Sequence, residues 1–189
     1  MQKILVTYAT NAGSSAKIAE ALAAELGKNA TVETLPIDKV TSLEPYSAVV
    51  LGAPMILGWH RGALAFLRKN QAALSQKKLA IFVTCVNLTK TNETSLEGVP
   101  LFIDEKLPKA PKNPARLSIK ENYATPKNYL TPILKLVKPV SIGVFGGSLQ
   151  YFSMKWWQVP FVLLAIQATP GDKRNWNAIA TWAGSLFKE

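Results

Sequence analysis

Short apolar runs alternate with longer half-apolar stretches along the chain. Ile4-Leu5-Val6-Thr7-Tyr8 is a short, β-branched run ending in a polar loop that contains Gly13. Such a run predicts a buried strand. From Ser15 to Leu26, the residues Ile18, Ala19, Leu22, Ala23 and Leu26 recur at helical spacing, and Gly27 is a natural stop. Val32 to Ile37 predicts a second strand, and Ala48-Val49-Val50-Leu51-Gly52 a third. A second helix opens at Ala63-Leu64-Ala65-Phe66-Leu67. Leu79 to Val86 predicts a fourth strand and Val140 to Phe145 a fifth. A closing helix from Asn175 to Phe187 sets Trp176, Ile179, Ala180, Ala183 and Phe187 on one side. Wholly apolar strands belong to sheets covered on both faces. Strands alternating with helices predict a parallel sheet with right-handed crossovers. The expected fold class is therefore α/β, doubly wound, within a single domain spanning residues 1–189.

Two segments break this rhythm. Residues 87–122 hold Pro100, Pro108, Pro111 and Pro114 among lysines and acids. That is long for a connection inside a compact domain, so it is read as functional or disordered. Within it, Leu101-Phe102-Ile103 and Leu117-Ser118-Ile119 are expected to pair as a hairpin. The second segment, Tyr151 to Ala168, is rich in Phe, Trp, Val and Leu, but its wholly apolar core, Val159 to Ile166, is eight residues long. A membrane-spanning helix needs about 20. This stretch is expected to be a buried helix or one that dips into a surface, with Lys155, Trp156, Trp157 and Phe161 forming an interfacial pattern.

Composition adds charge to this picture. The net charge is +10, from 22 Lys+Arg against 12 Asp+Glu. The stretch 96–140 is the most basic for its length. Such a surface favours anionic partners, acidic phospholipid, nucleic acid or a polycarboxylate substrate, or else serves solubility alone. No basic helix with interleaved aromatics appears, so no nucleic-acid partner is expected. Cys85 is the single cysteine, which rules out an internal disulfide and fits a reducing compartment. No signal-peptide pattern precedes the first strand. The expected location is cytoplasmic, or peripheral at the cytoplasmic membrane face. There is one histidine, no CxxC and no paired-histidine pattern, so no metal site is expected.

The first strand runs directly into Thr10-Asn11-Ala12-Gly13-Ser14-Ser15, where a helix begins. The first turn of a helix carries unpaired N–H groups and a partial positive charge, which suits an anion. Gly13 permits a sharp turn and close approach. The loop lacks the GxxxxGK[ST] lysine, which argues against a triphosphate, and lacks GxGxxG, which argues against a dinucleotide. A phosphomonoester such as FMN remains. The competing explanation is an ordinary helix capped by Ser14 or Ser15.

The other loops favour the anion. In an open α/β sheet, ligands bind beyond the carboxyl ends of the strands, at the switch point; in flavodoxin this is where FMN sits. After the third strand come Ala53, Pro54, Met55, Ile56, Leu57, Gly58, Trp59 and His60. After the fourth come Thr84, Cys85, Val86, Asn87 and Leu88. These can offer a flavin ring an apolar wall and backbone hydrogen bonds. Trp59 is expected as a wall of that pocket or as a cap on the core. His60 is expected as a solvated loop residue or a proton relay, and Cys85 as a small buried hydrophobe.

Thr10-x-x-Gly13-Ser14-Ser15, Gly52-Ala53-Pro54 with Gly58-Trp59, and Val86-Asn87-Leu88 together resemble the flavodoxin superfamily. The pattern is most similar to the branch of quinone-dependent protoporphyrinogen oxidases, through Gly146-Gly147-Ser148-Leu149-Gln150-Tyr151, Pro170-Gly171-Asp172 and Trp182. The resemblance implies FMN, a five-stranded sheet in order 2-1-3-4-5 and a long insertion after the fourth strand, here at about residues 89–122. It implies an FMN oxidoreductase of heme biosynthesis that passes electrons to a quinone. The alternatives are a flavodoxin-type electron carrier that docks on a redox partner protein and a flavodoxin-like binding module without flavin. Lys106, Lys109, Lys112 and Lys120 of the insert are expected to steer a porphyrin's two propionates, to bind lipid, or to form a solvated basic loop. The flavin carries the chemistry, so no catalytic residue is assigned and the oligomeric state stays open.

Overall fold

The computed structural model describes residues 2–56, 58–149 and 171–188. Trp156, Trp157, Phe161 and the apolar run Val159 to Ile166 lie outside the described residues, as do Leu57, Gln150, Tyr151 and Pro170.

The five expected strands form one parallel sheet. They are β1 (Lys3–Tyr8), β2 (Thr31–Pro36), β3 (Ala48–Met55), β4 (Lys78–Cys85) and, after the insert, β9 (Ser141–Gly146). Their order is β2-β1-β3-β4-β9, and every pairing among them is parallel. This is the expected 2-1-3-4-5 arrangement. Both faces are covered, which explains the apolar runs. Leu5, Val49, Leu51, Ala53 and Val83 pack into one core cluster. It is capped by Ala63, Phe66 and Leu67 of α2 (Arg61–Lys69) and by Leu130 and Ile133 of α5 (Pro126–Leu134). The alternate residues Ile4, Val6, Ala48, Val50 and Phe82 pack on the other face. There they meet Ile18 and Leu22 of α1 (Ser14–Leu26) and Ile179 and Trp182 of α6 (Trp176–Ser185). The short helix α3 (Gln71–Ser75) leads into β4.

α6 departs from expectation in its buried side. Ile179, Trp182 and Ala183 face the core, while Trp176 is 45% exposed at the helix start. Both sets have helical spacing. Trp182 wins because its indole reaches a polar anchor, donating from Nε1 to Ser141 Oγ at 2.9 Å, and packs edge-on against Phe145.

The insert extends the sheet. β6 (Ser95–Leu96) and β7 (Val99–Ile103) form a tight hairpin around Glu97 and Gly98, both at positive φ. β7 then lies parallel to β9, outside it, giving a seven-stranded sheet ending β9-β7-β6. The expected hairpin between Leu101–Ile103 and Leu117–Ile119 does not form. The first run finds a partner along β9 through Ile142, Gly143 and Val144. The second enters α4 (Ile119–Tyr123), because Ser118 and Glu121 close a capping box. Two-residue strands β5 (Leu88–Thr89) and β8 (Pro108–Lys109) pair in parallel and tie the insert to the end of β4. After β9, β10 (Ser148–Leu149) pairs antiparallel with β11 (Gly171–Asp172). Among the described residues, no helix is long and apolar enough to cross a membrane.

Candidate functional site

β1, β3 and β4 run parallel and in register, with Tyr8 opposite Gly52 and Met55 opposite Cys85. The three predicted loops therefore leave the same sheet edge. The first is the most open. Asn11, Ala12 and Gly13 are exposed. Gly13 is the N-cap of α1, at φ 79 and ψ −11, in the left-handed region. A Cβ there would meet nothing within 4 Å, so backbone conformation, not crowding, calls for glycine. No side chain caps α1, and its first turn has no acidic residue. Neither serine serves as the cap. Ser14 Oγ accepts the Ser148 N–H at 2.9 Å, which leaves its own proton to donate. The fully buried Ser15 hydroxyl lies 3.1 Å from Thr84 Oγ1 and pins α1 to β4. The loop thus offers a glycine turn, first-turn N–H groups without a side-chain acceptor, and one hydroxyl.

The second loop folds back on itself. Met55 bridges to Trp59, Ile56 N donates to Gly58 O at 3.3 Å, and His60 N donates to Pro54 O at 3.1 Å. Trp59 is 4% exposed and packs in the core. Its Nε1 donates to Ala53 O at 3.1 Å, so the indole is held as a core cap rather than a pocket wall. His60 is not a solvated loop residue. Its Nδ1 accepts the Gly62 N–H at 3.2 Å and caps α2. Burial lowers its pKa, consistent with a neutral ring.

In the third loop the side chains of Thr84, Cys85 and Leu88 are buried. Desolvation pushes the Cys85 thiol up to about 12, so it stays protonated. The loop carbonyls are already engaged. Cys85 O accepts from Gly147 N at 3.0 Å, Val86 O from Lys173 Nζ at 3.3 Å, and Asn87 O from the Tyr129 hydroxyl at 3.3 Å.

The insert builds an apolar cavity of about 510 Å³ against these loops. Ile56 from the second loop and Asn87 and Leu88 from the third line it, opposite Ile119, Tyr123 and Tyr129. The two tyrosines meet edge to face, with centroids 5.8 Å apart. Lys109, Lys112 and Lys120 are at its rim. Thr10–Ser15 do not line this cavity. Trp59 does not line this cavity; its aromatic side chains are Tyr123 and Tyr129, which sequence reasoning missed. Thr125-Pro126, a cap followed by proline, was the local signal for the helix that carries Tyr129. Among the described residues, no group of His, Cys, Asp and Glu could hold a metal.

The model of the flavodoxin domain family matches residues 5–174. No curated protein matches. Among solved structures, oxidised flavodoxin 2 from Bacillus cereus is 13% identical, with 96% of this chain and 94% of that one covered, at a TM-score of 0.48. A flavodoxin from the domain Archaea is 15% identical, covering 77% and 85%, at 0.46. A Fusobacterium nucleatum flavodoxin bound to flavin mononucleotide is 19% identical, covering 45% and 53%, at 0.40. The chain spans 23% of the rubredoxin oxygen:oxidoreductase from Desulfovibrio gigas and about half of the Fusobacterium flavodoxin, less than two thirds of either. With the family model spanning most of its length, the chain belongs to the flavodoxin domain family.

Proposed function

We propose that this chain binds FMN and acts as a flavin-dependent oxidoreductase resembling the quinone-dependent protoporphyrinogen oxidases. The observation that carries FMN binding is the Gly13 loop, a left-handed turn into an uncapped helix on the sheet edge shared by the other two loops. First-turn N–H groups and the helix dipole hold the phosphate, and the Ser14 hydroxyl adds a donor. FMN, when bound, supplies the electron-accepting centre. The loops around Ile56 and Asn87 position its ring. Family membership supports the same cofactor.

The oxidoreductase reading rests on the insert. An electron carrier needs only an exposed cofactor edge, whereas here an apolar cavity rimmed by lysines is built against the ring-side loops. That cavity suits an apolar organic substrate with acidic substituents. A lipid-soluble quinone as acceptor fits a surface where Ile119 is 91% exposed beside the exposed Lys112 and Lys120.

Titration of the purified chain with FMN, followed by visible absorption and flavin fluorescence, tests the cofactor. A chain that takes up no FMN sinks the proposal. An anaerobic assay of the FMN-loaded chain with protoporphyrinogen and a quinone analogue then tests the reaction. Porphyrin fluorescence rises with protein if the oxidase reading is right. FMN uptake and reduction by a partner reductase, without porphyrin formation, would instead make it an electron carrier.

A further inference from the structure

A second cavity, of about 610 Å³, opens between the insert and the start of α6. Lys106, Lys109, Lys173, Arg174, Trp176 and Asn177 line it. We propose that this cleft is a binding site for a compact polyanion, a ligand bearing two or more phosphate or carboxylate charges. Val86 of the third loop also lines this cleft.

Charge is the first argument. Four cationic side chains face one carboxylate, Asp172, and that carboxylate is spent on Arg174 through Nε at 2.7 Å and a second contact at Nη2. Lys106, Lys109 and Lys173 form no ion pair among the described residues. Residues 150–170 contain no Asp or Glu. Burial and the nearby Lys109 hold the Lys173 ammonium below its ordinary pKa. Like charges gathered in a half-buried cleft repel, and an anion between them relieves that cost.

Order is the second argument. Lys173 is tethered through Nζ to Val86 O. Arg174 is stacked over the Trp176 ring at 4.7 Å. Behind the wall, Asp104 is 1% exposed. Its Oδ1 accepts from Lys106 N at 3.1 Å and from Asn175 Nδ2 at 2.8 Å, joining the insert to the N-cap of α6. These contacts hold the Lys173 and Arg174 side chains in place and tie the Lys106 backbone to the start of α6. The helix is the third argument. Trp176 and Asn177 open α6, a 10-residue helix with no acidic residue in its first turn, so its positive end also faces the cleft. Three unpaired lysines call for more than one negative charge, and the volume admits a ligand larger than a single phosphate.

The test is calorimetric titration of the full chain with inorganic pyrophosphate and, separately, with citrate. Ionic strength is held constant, and the titrations are run with and without added FMN. We expect saturable one-site binding of at least one of them, with a change in tryptophan fluorescence that Trp176→Phe abolishes. Preference between the two anions identifies the phosphate or carboxylate class. Lys106→Gln and Lys109→Gln, both exposed and so tolerant of change, should each weaken binding about tenfold, as expected for loss of a charge-assisted contact. Lys39→Gln, on the remote 3-10 turn after β2, should leave it unchanged. Absence of saturable binding at millimolar anion overturns the proposal. So does equal weakening by Lys39→Gln, which would mean diffuse attraction. Release of bound FMN by pyrophosphate would also overturn it, by making this the cofactor's own phosphate site.

Discussion

At the scale of single residues, the loop before α1 was legible because its chemistry is local. Gly13 precedes two serines where a strand gives way to a helix, and each feature can be read without knowing the rest of the fold. What the sequence left open was whether a serine capped the helix. The long-range bonds of Ser14 to Ser148 and Ser15 to Thr84 decide that, and no local pattern encodes them. Gly13→Asp tests the loop. No atom would touch the new Cβ, and aspartate tolerates left-handed backbone better than most residues. The fold should persist while the carboxylate repels the phosphate. FMN affinity should fall about a hundredfold, equivalent to about 2.7 kcal/mol. Fluorescence titration reads this, and an unchanged affinity would place the phosphate elsewhere. His60 gives a second residue-level prediction. His60→Ala removes the α2 cap and should cost on the order of 1 kcal/mol in a urea melt at pH 8. The native pKa lies below 6.5. The neutral ring's contribution is therefore fully present above pH 6.5 and is lost as pH falls from there through the lower folded value. The difference between wild type and variant should shrink between pH 8 and pH 5. A gap that stays constant would show that the cap does not titrate.

At the scale of elements, the sheet strands were readable because both faces are buried, which leaves long β-branched runs. The insert was not. Its strands β5, β6 and β8 are two residues each, too short to carry a period. Pro132 inside α5 disguised a helix that its Thr125 cap announces. Trp59 and Trp176 show the same limit in side-chain placement. An aromatic at the start of an element reads equally well as wall or core until its partners, such as Ala53 O for Trp59, are located. The turn between β9 and β10 supports the cationic cleft, because Gly147 O accepts the Lys173 N–H at 3.2 Å. A Cβ on Gly146 would lie 2.2 Å from the Lys173 carbonyl oxygen, and backbone yields poorly to such a clash. Gly146→Ala should cost about 1–3 kcal/mol, as overpacking does. In a chain of this size that lowers Tm by very roughly 2–12 °C. It should also weaken pyrophosphate binding through displacement of Lys173. A thermal melt and a titration of the same sample check both, and an unaltered Tm would mean the turn is free to move.

At the scale of the whole molecule, stability and chemistry are divided unevenly. The two core clusters cover the faces of β1, β3 and β4, and from residue 105 to 123 only Leu107 is buried. Backbone there has few packed neighbours to hold it closed, so its opening free energy is small. The same stretch carries Lys106, Lys109, Lys112, Arg116 and Lys120, all exposed. Brief trypsin digestion should therefore cut between 106 and 120 before it cuts within the strands and helices of the sheet core, a sequence readable by mass spectrometry. This stretch supplies one wall to each cavity, through Lys109 to both. Anion binding should then slow these cuts in proportion to occupancy, because a ligand that binds only the closed form lowers the open population. First cleavage inside β3 or β4 would contradict this division. Protection by pyrophosphate that survives Lys109→Gln undiminished would separate the stretch from the cationic cleft.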